Sequence, residues 1–311
     1  MEGTAFLFPG QGSQYPGMGK ELAENFVVVR HTFEEADDAL GQAISRLCFE
    51  GPESELQLTE NTQPALLAVS IAFLRLLTSE TGLAPAYLAG HSLGEYSALV
   101  AAGALDFGDA LRVVRARGKF MQEAVPVGTG AMAAVLGVDA EVVADICAEA
   151  AAGEVVVPAN FNCPGQIVIS GQASAVQRAV EIAKGRGIRK VLVLPVSVPS
   201  HCSLMKSAGE RLAETLDSIG ITPFAAPVVS NVEAKPYTDV ERVKPLLVAQ
   251  ISSPVLWEAS VKEMAARGVE RFVEIGPGKV LSGLVKKIDR DLVAKNFDDL
   301  AGFKAICGEV A

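Results

Sequence analysis

One pentapeptide in this sequence has the spacing of a nucleophilic serine. Gly90-His91-Ser92-Leu93-Gly94 fits the pattern G-x-S-x-G, in which a serine occupies a sharp turn between a strand and a helix. The small flanking glycines let the backbone clear both elements, and the N–H of Leu93 would then point into the site and stabilise an oxyanion. The alternative is a serine that caps an ordinary helix. We therefore predict Ser92 as a nucleophile and Leu93 as an oxyanion donor.

A serine nucleophile needs a general base, and histidine suits this role best near neutral pH. The sequence has three histidines. His91 adjoins Ser92, and neighbouring side chains at a sharp turn diverge, whereas His31 lies in a polar helical stretch that is typical of a solvated surface. We predict His201 as the base, because it follows a predicted strand where the chain re-enters its larger domain. The alternative is a histidine that packs at a domain junction.

The group that would orient the imidazole of His201 is left open by the sequence. No carboxylate lies close to this histidine along the chain. A distant Asp or Glu, or a backbone carbonyl, would each hold the Nδ1–H.

A helical projection of residues 108–124 places one charge among apolar residues. At 100° per residue, Arg117 falls inside the apolar stripe, while the other charged residues lie on or toward the opposite side. An inward guanidinium is unfavourable unless an anion meets it. Either a structural Asp or Glu or the carboxylate of a ligand would serve, and the guanidinium fork suits a carboxylate well. The stripe consists of Ala110, Leu111, Val114, Gly118 and Met121.

The glycine-rich segment Phe8-Pro9-Gly10-Gln11-Gly12-Ser13-Gln14 suggests a phosphate-binding loop but lacks the required spacing. Tyr15 stands where the dinucleotide-binding pattern needs glycine, and Gln14 stands where a Walker loop ending at Lys20 needs glycine. We therefore expect the backbone of this loop to supply a second oxyanion donor.

Apolar runs that alternate with helical stretches predict an α/β fold with a mostly parallel sheet. Residues 4–8 and 86–90 are predicted strands, and Asn61-Thr62-Gln63-Pro64 would open an apolar helix with Pro64 near its first turn. The middle of the chain instead predicts the order β-α-β-β-α-β, which is the ferredoxin-like arrangement. Its strands are predicted at 131–136, 154–159, 166–170 and 188–194, and its helices at 139–151 and 172–184.

This change of pattern predicts two domains. Residues 1–127 and 199–311 would form a large α/β domain with a hydrolase-like parallel sheet, and residues 128–198 an inserted ferredoxin-like small domain. A chain of 311 residues that is 50% apolar is long enough to build both cores. We expect a cleft between the two domains.

Charge and composition exclude several classes of function. The net charge of −10 argues against nonspecific binding to nucleic acid or anionic membranes. The longest apolar stretch, residues 64–77, is too short to span a bilayer, and no signal peptide is readable at the start. Five cysteines and three histidines assemble no zinc spacing, so we expect reduced thiols and no metal. The prediction is a soluble, cytoplasmic protein.

Seven segments resemble, in order, the malonyl-CoA:acyl carrier protein transacylases of bacterial fatty-acid synthesis and, more distantly, the acyltransferase domains of polyketide synthases. The resemblance extends from Phe8 to about Ile288. Pro199-Ser200-His201 agrees better with the malonyl-using bacterial enzymes than with methylmalonyl-using polyketide domains. The other six segments are Phe8-Pro9-Gly10-Gln11-Gly12, Asn61-Thr62-Gln63-Pro64-Ala65, Gly90-His91-Ser92-Leu93-Gly94-Glu95-Tyr96, Arg115-Ala116-Arg117-Gly118, Asn160-Phe161-Asn162-Cys163-Pro164-Gly165-Gln166 and Glu274-Ile275-Gly276-Pro277-Gly278-Lys279-Val280-Leu281.

The resemblance implies a role for each candidate residue. Ser92 would be the nucleophile and His201 the base, oriented by the main-chain carbonyl of Gln250. The N–H groups of Gln11 and Leu93 would form the oxyanion hole. Substrate contacts would come from Arg117, which would bind the malonyl carboxylate, and from His91, Met121 and Asn162, which would line the site.

The resemblance also implies the reaction and its partners. A malonyl group would pass from malonyl-CoA through a malonyl-serine to the phosphopantetheine thiol of acyl carrier protein. We also expect no bound cofactor and a monomeric protein. Because carrier proteins of this kind are acidic, a basic surface is expected on the insert or near the C-terminus, although ordinary solvated charge explains the same residues. The candidates are Lys184, Arg186, Arg189, Lys190, Lys286 and Lys287.

Two rival functions share part of this pattern. A serine hydrolase such as a thioesterase has the same serine and histidine but needs no inward arginine. A non-catalytic docking protein that kept the fold would need none of the three residues Ser92, His201 and Arg117.

Overall fold

The computed structural model describes residues 3–196 and 198–310. In the first part of the chain, two strands are separated and followed by helices, and the strands predicted at 4–8 and 86–90 are both present. All five residues of the first strand are buried, as expected for a strand inside a parallel sheet. The elements are β1 (Thr4–Phe8), α1 (Lys20–Asn25), α2 (Val27–Leu40), α3 (Ile44–Glu50), α4 (Glu53–Leu56), α5 (Thr59–Thr81), β2 (Tyr87–Gly90), α6 (Gly94–Ala101) and α7 (Phe107–Ala124).

Helix α5 differs from the prediction in two respects. It begins at Thr59, so that Pro64 lies in its second turn and not near its first residues. With 23 residues it is long and apolar enough to cross a membrane by length and composition alone, which corrects the expectation drawn from residues 64–77. It is nevertheless a core helix, since 78% of its most apolar window is buried inside the protein.

The middle of the chain forms a separate antiparallel sheet in the order β4-β5-β3-β6, and the predicted order of strands and helices is confirmed. The strand predicted at 154–159 is Val156–Cys163 in the structure. It continues past its predicted end because Asn160 pairs with Val168 of the neighbouring strand and bridges to Val255 in the other part of the protein. The elements are β3 (Gly130–Leu136), α8 (Ala140–Ala151), β4 (Val156–Cys163), β5 (Gln166–Gln172), α9 (Ala173–Gly185) and β6 (Lys190–Val193).

The last part of the chain completes a five-stranded parallel sheet in the order β7-β2-β1-β8-β9. In a parallel sheet all carboxyl ends lie at one edge, so the loops that follow β1, β2 and β7 meet there. The elements are α10 (Lys206–Asp217), β7 (Val228–Val229), α11 (Val243–Ser252), α12 (Trp257–Ala266), β8 (Arg271–Ile275), α13 (Val280–Ile288), β9 (Val293–Phe297) and α14 (Leu300–Val310), with 3₁₀ turns at Ser203–Met205 and Val240–Arg242.

The predicted fold class, a parallel α/β sheet with a separate antiparallel α/β unit, is confirmed by these two sheets. The antiparallel sheet begins at Gly130 and ends at Val193, inside the predicted insert. A Cβ on Gly130 would lie 2.3 Å from Cδ of Pro199, so the two connecting segments cross closely. The domain limits themselves stay a prediction, and residues 1, 2, 197 and 311 of the predicted ranges lie outside the described residues.

Candidate active site

The backbone around Ser92 forms a sharp turn between β2 and α6. Ser92 has a φ of 51°, which is in the left-handed region that residues with a Cβ rarely adopt. A Cβ on Gly90 would lie 1.9 Å from the carbonyl carbon of Gly94, and one on Gly94 would lie 2.1 Å from the carbonyl oxygen of Phe8. Both glycines are therefore required, and the predicted strand–turn–helix is present.

Asn231, which follows β7, braces this turn. Its side-chain oxygen accepts a hydrogen bond from the N–H of Ser92 at 2.6 Å, and its side-chain nitrogen donates to the carbonyl of Gly90 at 2.7 Å. Asn231 is fully buried, so these bonds are shielded from water. They offset the strain of the left-handed serine, which is on the order of 1–3 kcal/mol.

His201 lies against Ser92 and is held by Gln250. Its Nε2 is 2.8 Å from Oγ of Ser92, and its Nδ1 is 2.8 Å from the backbone carbonyl of Gln250. Because a carbonyl only accepts, Nδ1 carries the proton and Nε2 is the acceptor for the serine hydroxyl. The group that orients His201, which the sequence left open, is thus the backbone carbonyl of Gln250.

Burial is the main cause that lowers the pKa of His201 to about 3, and the positive charge of Arg117 lowers it further. The hydrogen bond to the carbonyl of Gln250 opposes this shift. Since the pKa in the folded protein is below the ordinary value of 6.5, the imidazole stays neutral throughout the neutral and mildly acidic range. His201 is therefore able to accept the serine proton without first losing one.

We expect the reaction of Ser92 with a neutral sulfonyl fluoride to keep its rate as the pH is lowered from about 8 to about 5, because His201 does not protonate in this range. Inactivation rates across a pH series measure this directly. An inactivation rate that falls to half its value near pH 6.5 would contradict a lowered pKa of His201. The Arg117→Ala variant should move the acid limb to higher pH, since it removes a charge that lowers the pKa of His201.

Arg117 has no exposed surface, and the described residues that accept hydrogen bonds from its guanidinium are neutral. Nη1 donates to Oε1 of Gln63 at 2.8 Å, while Nη2 donates to Oε1 of Gln250 at 3.0 Å and to Oγ of Ser92 at 3.2 Å. Its Nε donates no hydrogen bond to a described residue, and its Cζ lies 5.6 Å from the ring centre of Tyr96. No Asp or Glu of the described chain forms an ion pair with it, so the ligand-carboxylate alternative fits better than a structural ion pair.

A cavity of about 210 Å³ opens at Ser92, between the carboxyl edge of the parallel sheet and the antiparallel sheet. Gln11 lines it, because the loop after β1 packs on the turn so closely that a Cβ on Gly10 would lie 2.4 Å from the carbonyl oxygen of His91. Within residues 3–196 and 198–310, the backbone N–H groups of Gln11 and Leu93 have no protein acceptor. Both predicted oxyanion donors thus remain free for a ligand oxygen.

The other predicted lining residues lie in different layers. His91 and Asn162 line the cavity, with Nε2 of His91 2.9 Å from Oδ1 of Asn162. Burial lowers the pKa of His91, so its ring is neutral. Met121 lies one layer deeper: its sulfur is 3.6 Å from Nε2 of Gln63, and it does not reach the cavity wall. Met121 therefore contacts the site through Gln63, and its role in lining the site stays a prediction.

Sequence reasoning missed Gln63, Asn231, Glu95 and the side chain of Gln250. Gln63 and Glu95 stand inside segments that carried the family resemblance, but α6 is buried on all sides from Gly94 to Leu99, so a helical projection gives no separate apolar face that would single out Glu95. Asn231 has no comparable signal, because it stands in an irregular segment after a strand of two residues.

Comparisons with known proteins agree with this geometry. The family model described as "Acyl transferase domain" matches residues 5–297. The malonyl CoA-acyl carrier protein transacylase of Escherichia coli strain K12 is 52% identical over 97% of this chain and 97% of that protein. The solved structure of a malonyl-CoA:acyl carrier protein transacylase from Xanthomonas oryzae is 49% identical, with a TM-score of 0.98 over 99% of this chain and 98% of that chain.

A further solved structure holds a type II PKS acyl-carrier protein in complex with its malonyl-transacylase. It is 48% identical to this chain, with a TM-score of 0.96 over 98% of this chain and 99% of that chain.

Proposed function

The chain belongs to the acyl transferase family, and from this premise we propose that it transfers malonyl groups from malonyl-CoA to acyl carrier protein for fatty-acid synthesis. It is an acyltransferase, and its substrate and carrier follow from relatives that share about half of its residues over nearly the whole chain. The observation that carries the malonyl assignment is Arg117, a buried cation with neutral partners that lies 3.2 Å from Oγ of Ser92.

The first half-reaction loads the serine. Oγ of Ser92 attacks the thioester carbonyl of malonyl-CoA while Nε2 of His201 takes the hydroxyl proton. The N–H groups of Gln11 and Leu93 stabilise the oxygen that gains negative charge. Collapse of this intermediate breaks the carbon–sulfur bond, coenzyme A leaves with the proton from His201, and a malonyl-serine remains.

The second half-reaction reverses these roles with a new thiol. The phosphopantetheine thiol of the carrier gives its proton to His201 and attacks the malonyl-serine carbonyl. The carbon–oxygen bond breaks, and Ser92 regains the proton from His201. Coenzyme A and phosphopantetheine are therefore substrate groups, and we propose that the enzyme has no resident cofactor.

Arg117 gives the site its selectivity for malonyl over acetyl groups. Its guanidinium would add the malonyl carboxylate to these neutral contacts, as a charge-assisted pair at a cation that has no exposed surface. Gln63 aims Nη1 and is itself supported by Met121. His91 and Asn162 line the cavity as a neutral hydrogen-bonded pair. Arg117 is therefore the charged residue that distinguishes one acyl group from another.

The carrier is proposed to approach beside α13, where basic residues reach the cavity rim. Nζ of Lys287 donates to Oε1 of Gln166 at 3.1 Å, and Gln166 lines the cavity. Arg186 is instead paired with Glu149 and directly follows α9, a helix that packs on the face of the antiparallel sheet away from the cavity. Lys286 and Lys287 are therefore better placed than Lys184 and Arg186, at the end of α9, to meet an acidic carrier.

Reversing one of these charges should weaken carrier binding. We expect Lys287→Glu to raise KM for the carrier by about tenfold at low salt, with less effect at high salt and no change in KM for malonyl-CoA. The matched control is Lys184→Glu, which makes the same change on the exposed surface of α9. Equal effects of the two substitutions would remove the proposed docking site.

The nucleophile, its base, the oxyanion donors and the acyl-binding cation all come from one chain. A site that is complete within one chain is compatible with a monomer, and we propose that the enzyme is monomeric and cytoplasmic. The two separate sheets, and a cavity lined by residues of both parts, support the proposed division into a large domain (1–127 and 199–311) and an insert (128–198).

The function is tested by following the fate of the malonyl group. Purified protein is mixed with malonyl-CoA, with and without holo acyl carrier protein, and malonyl-carrier and free malonate are both measured. We expect rapid formation of malonyl-carrier and little malonate. Rapid release of malonate without transfer would identify a hydrolase instead.

A further inference from the structure

Glu95 is a fully buried carboxylate to which the proposed mechanism gives no role. It lies in the first turn of α6, and its oxygens accept hydrogen bonds from Nε2 of Gln250 at 2.6 Å, from the backbone N–H of Asn231 at 3.1 Å and from the hydroxyl of Tyr237. Among the described residues, no lysine or arginine forms an ion pair with it. A buried carboxylate without a direct cation is unfavourable, so its retention needs a reason.

The side-chain amide of Gln250 connects this carboxylate to Arg117. Its nitrogen donates to Glu95 and to the carbonyl of Ser92, and its oxygen accepts from Nη2 of Arg117 at 3.0 Å. If the amide were flipped, its nitrogen would face the guanidinium donors and its oxygen would face the carboxylate, and both contacts would be lost. The carboxylate of Glu95 therefore fixes which end of the amide faces Arg117.

The same amide belongs to the residue whose backbone holds His201. Gln250 thus contacts the base through its carbonyl and the acyl-binding cation through its side chain. An amide oxygen aimed at Nη2 holds the guanidinium beside Oγ of Ser92 without neutralising it, so that its charge stays available to a ligand. An acidic side chain in direct contact with Arg117 would compete with the malonyl carboxylate.

We propose that Glu95 is a positioning residue for acyl selectivity, which acts through the amide of Gln250 to aim the guanidinium of Arg117 at the malonyl carboxylate. This inference rests on the proposed function. Burial is the main cause that raises the pKa of Glu95 to about 7, while its three hydrogen bonds and the charge of Arg117 lower it, so the carboxylate is charged in mildly alkaline buffer. Arg117, Tyr96 and Tyr237 are the titratable groups that face it.

A purely structural role makes a different prediction. Glu95 also holds Asn231, which braces the turn at Ser92, and loss of that brace would slow every reaction of the serine. If the guanidinium of Arg117 lost its orientation, malonyl transfer alone would slow, because an acetyl group offers no carboxylate. The ratio of kcat/KM for malonyl-CoA to kcat/KM for acetyl-CoA separates the two roles.

The test is Glu95→Gln, which keeps the size of the side chain and removes its charge, assayed at about pH 8. We expect the malonyl-to-acetyl ratio to fall by about tenfold or more, with acetyl transfer and labelling of Ser92 by a sulfonyl fluoride changed by less than about threefold. The matched control is Tyr237→Phe, which removes another hydrogen bond to Glu95 and should keep the ratio. Equal losses on both acyl groups, or no loss, would overturn the proposal.

A second variant tests the connection from its other end. Gln250→Met removes the amide but keeps the backbone carbonyl that holds His201, and it should lower the same ratio even if Glu95→Gln does not fold. When Glu95→Gln and Gln250→Met are combined, we expect their effects on the ratio not to add, since both substitutions break the same series of hydrogen bonds from Glu95 through Gln250 to Arg117. Additive effects would overturn the proposal. Failure of the proposed function is distinct, because the wild-type protein would then not transfer malonyl at all.

Discussion

Replacing Arg117 by alanine is expected to lower kcat/KM for malonyl-CoA by about 10⁴-fold while acetyl transfer changes by less than about tenfold. A site built around a buried polar group discriminates strongly, because an analogue that lacks the matching group leaves that polar group without a partner. In the part of the chain that the structure describes, the hydrogen-bond partners of the guanidinium are neutral, so the malonyl carboxylate would be its first direct anionic contact.

The measurement is the rate of transfer from both acyl-CoA substrates to carrier protein, for wild type and variant. Arg115→Ala is the matched control, because Arg115 lies on the same helix but donates to the backbone carbonyl of Leu40, away from the cavity. It should leave both rates near those of the wild type. Equal losses on the two substrates in Arg117→Ala would remove Arg117 from the role of carboxylate ligand.

Replacing Ser92 by alanine is expected to abolish transfer, with kcat lowered by about 10⁴-fold or more, because both half-reactions pass through its oxygen. His201→Ala should cause a loss of similar size, since residues that act as one unit show losses that do not add. The double variant should therefore be no slower than Ser92→Ala by more than about threefold.

These rates are measured by transfer of labelled malonyl to carrier protein, with thermal denaturation as a check that each variant folds. His31→Ala is the matched histidine control, because His31 is exposed on α2 and should be silent. A Ser92→Ala protein that retains a substantial part of its transfer activity would contradict the covalent mechanism.

The elements that carry the chemistry were predictable because their patterns are local. The glycines around Ser92 are demanded by contacts with residues only four positions away or with the neighbouring strand, and the inward position of Arg117 follows from the period of one helix. The order of strands and helices in the insert follows in the same way, from apolar runs and helical stretches that succeed one another along the chain. Each of these predictions depends on a short stretch of sequence.

The polar network beneath the site was not predictable, because its partners are distant in sequence. Asn231 lies 139 residues from Ser92, and Gln250 lies 133 residues from Arg117. No composition or spacing rule connects such pairs before the parallel sheet brings its carboxyl ends together. The start of α5 was misplaced for a related reason: Pro64 lies in the second turn, because the packing of a core helix outweighs the preference of proline for the first.

The central claim is that Ser92, His201 and Arg117 act on one malonyl group, and the most direct measurement is the position of the covalent intermediate. Wild-type protein is mixed with malonyl-CoA without carrier, quenched in acid, digested and analysed by peptide mass spectrometry. We predict one malonyl adduct, on Ser92, that disappears when holo acyl carrier protein is added and is strongly reduced in Arg117→Ala. An adduct on any other residue, or no adduct in the wild-type protein, would contradict this account.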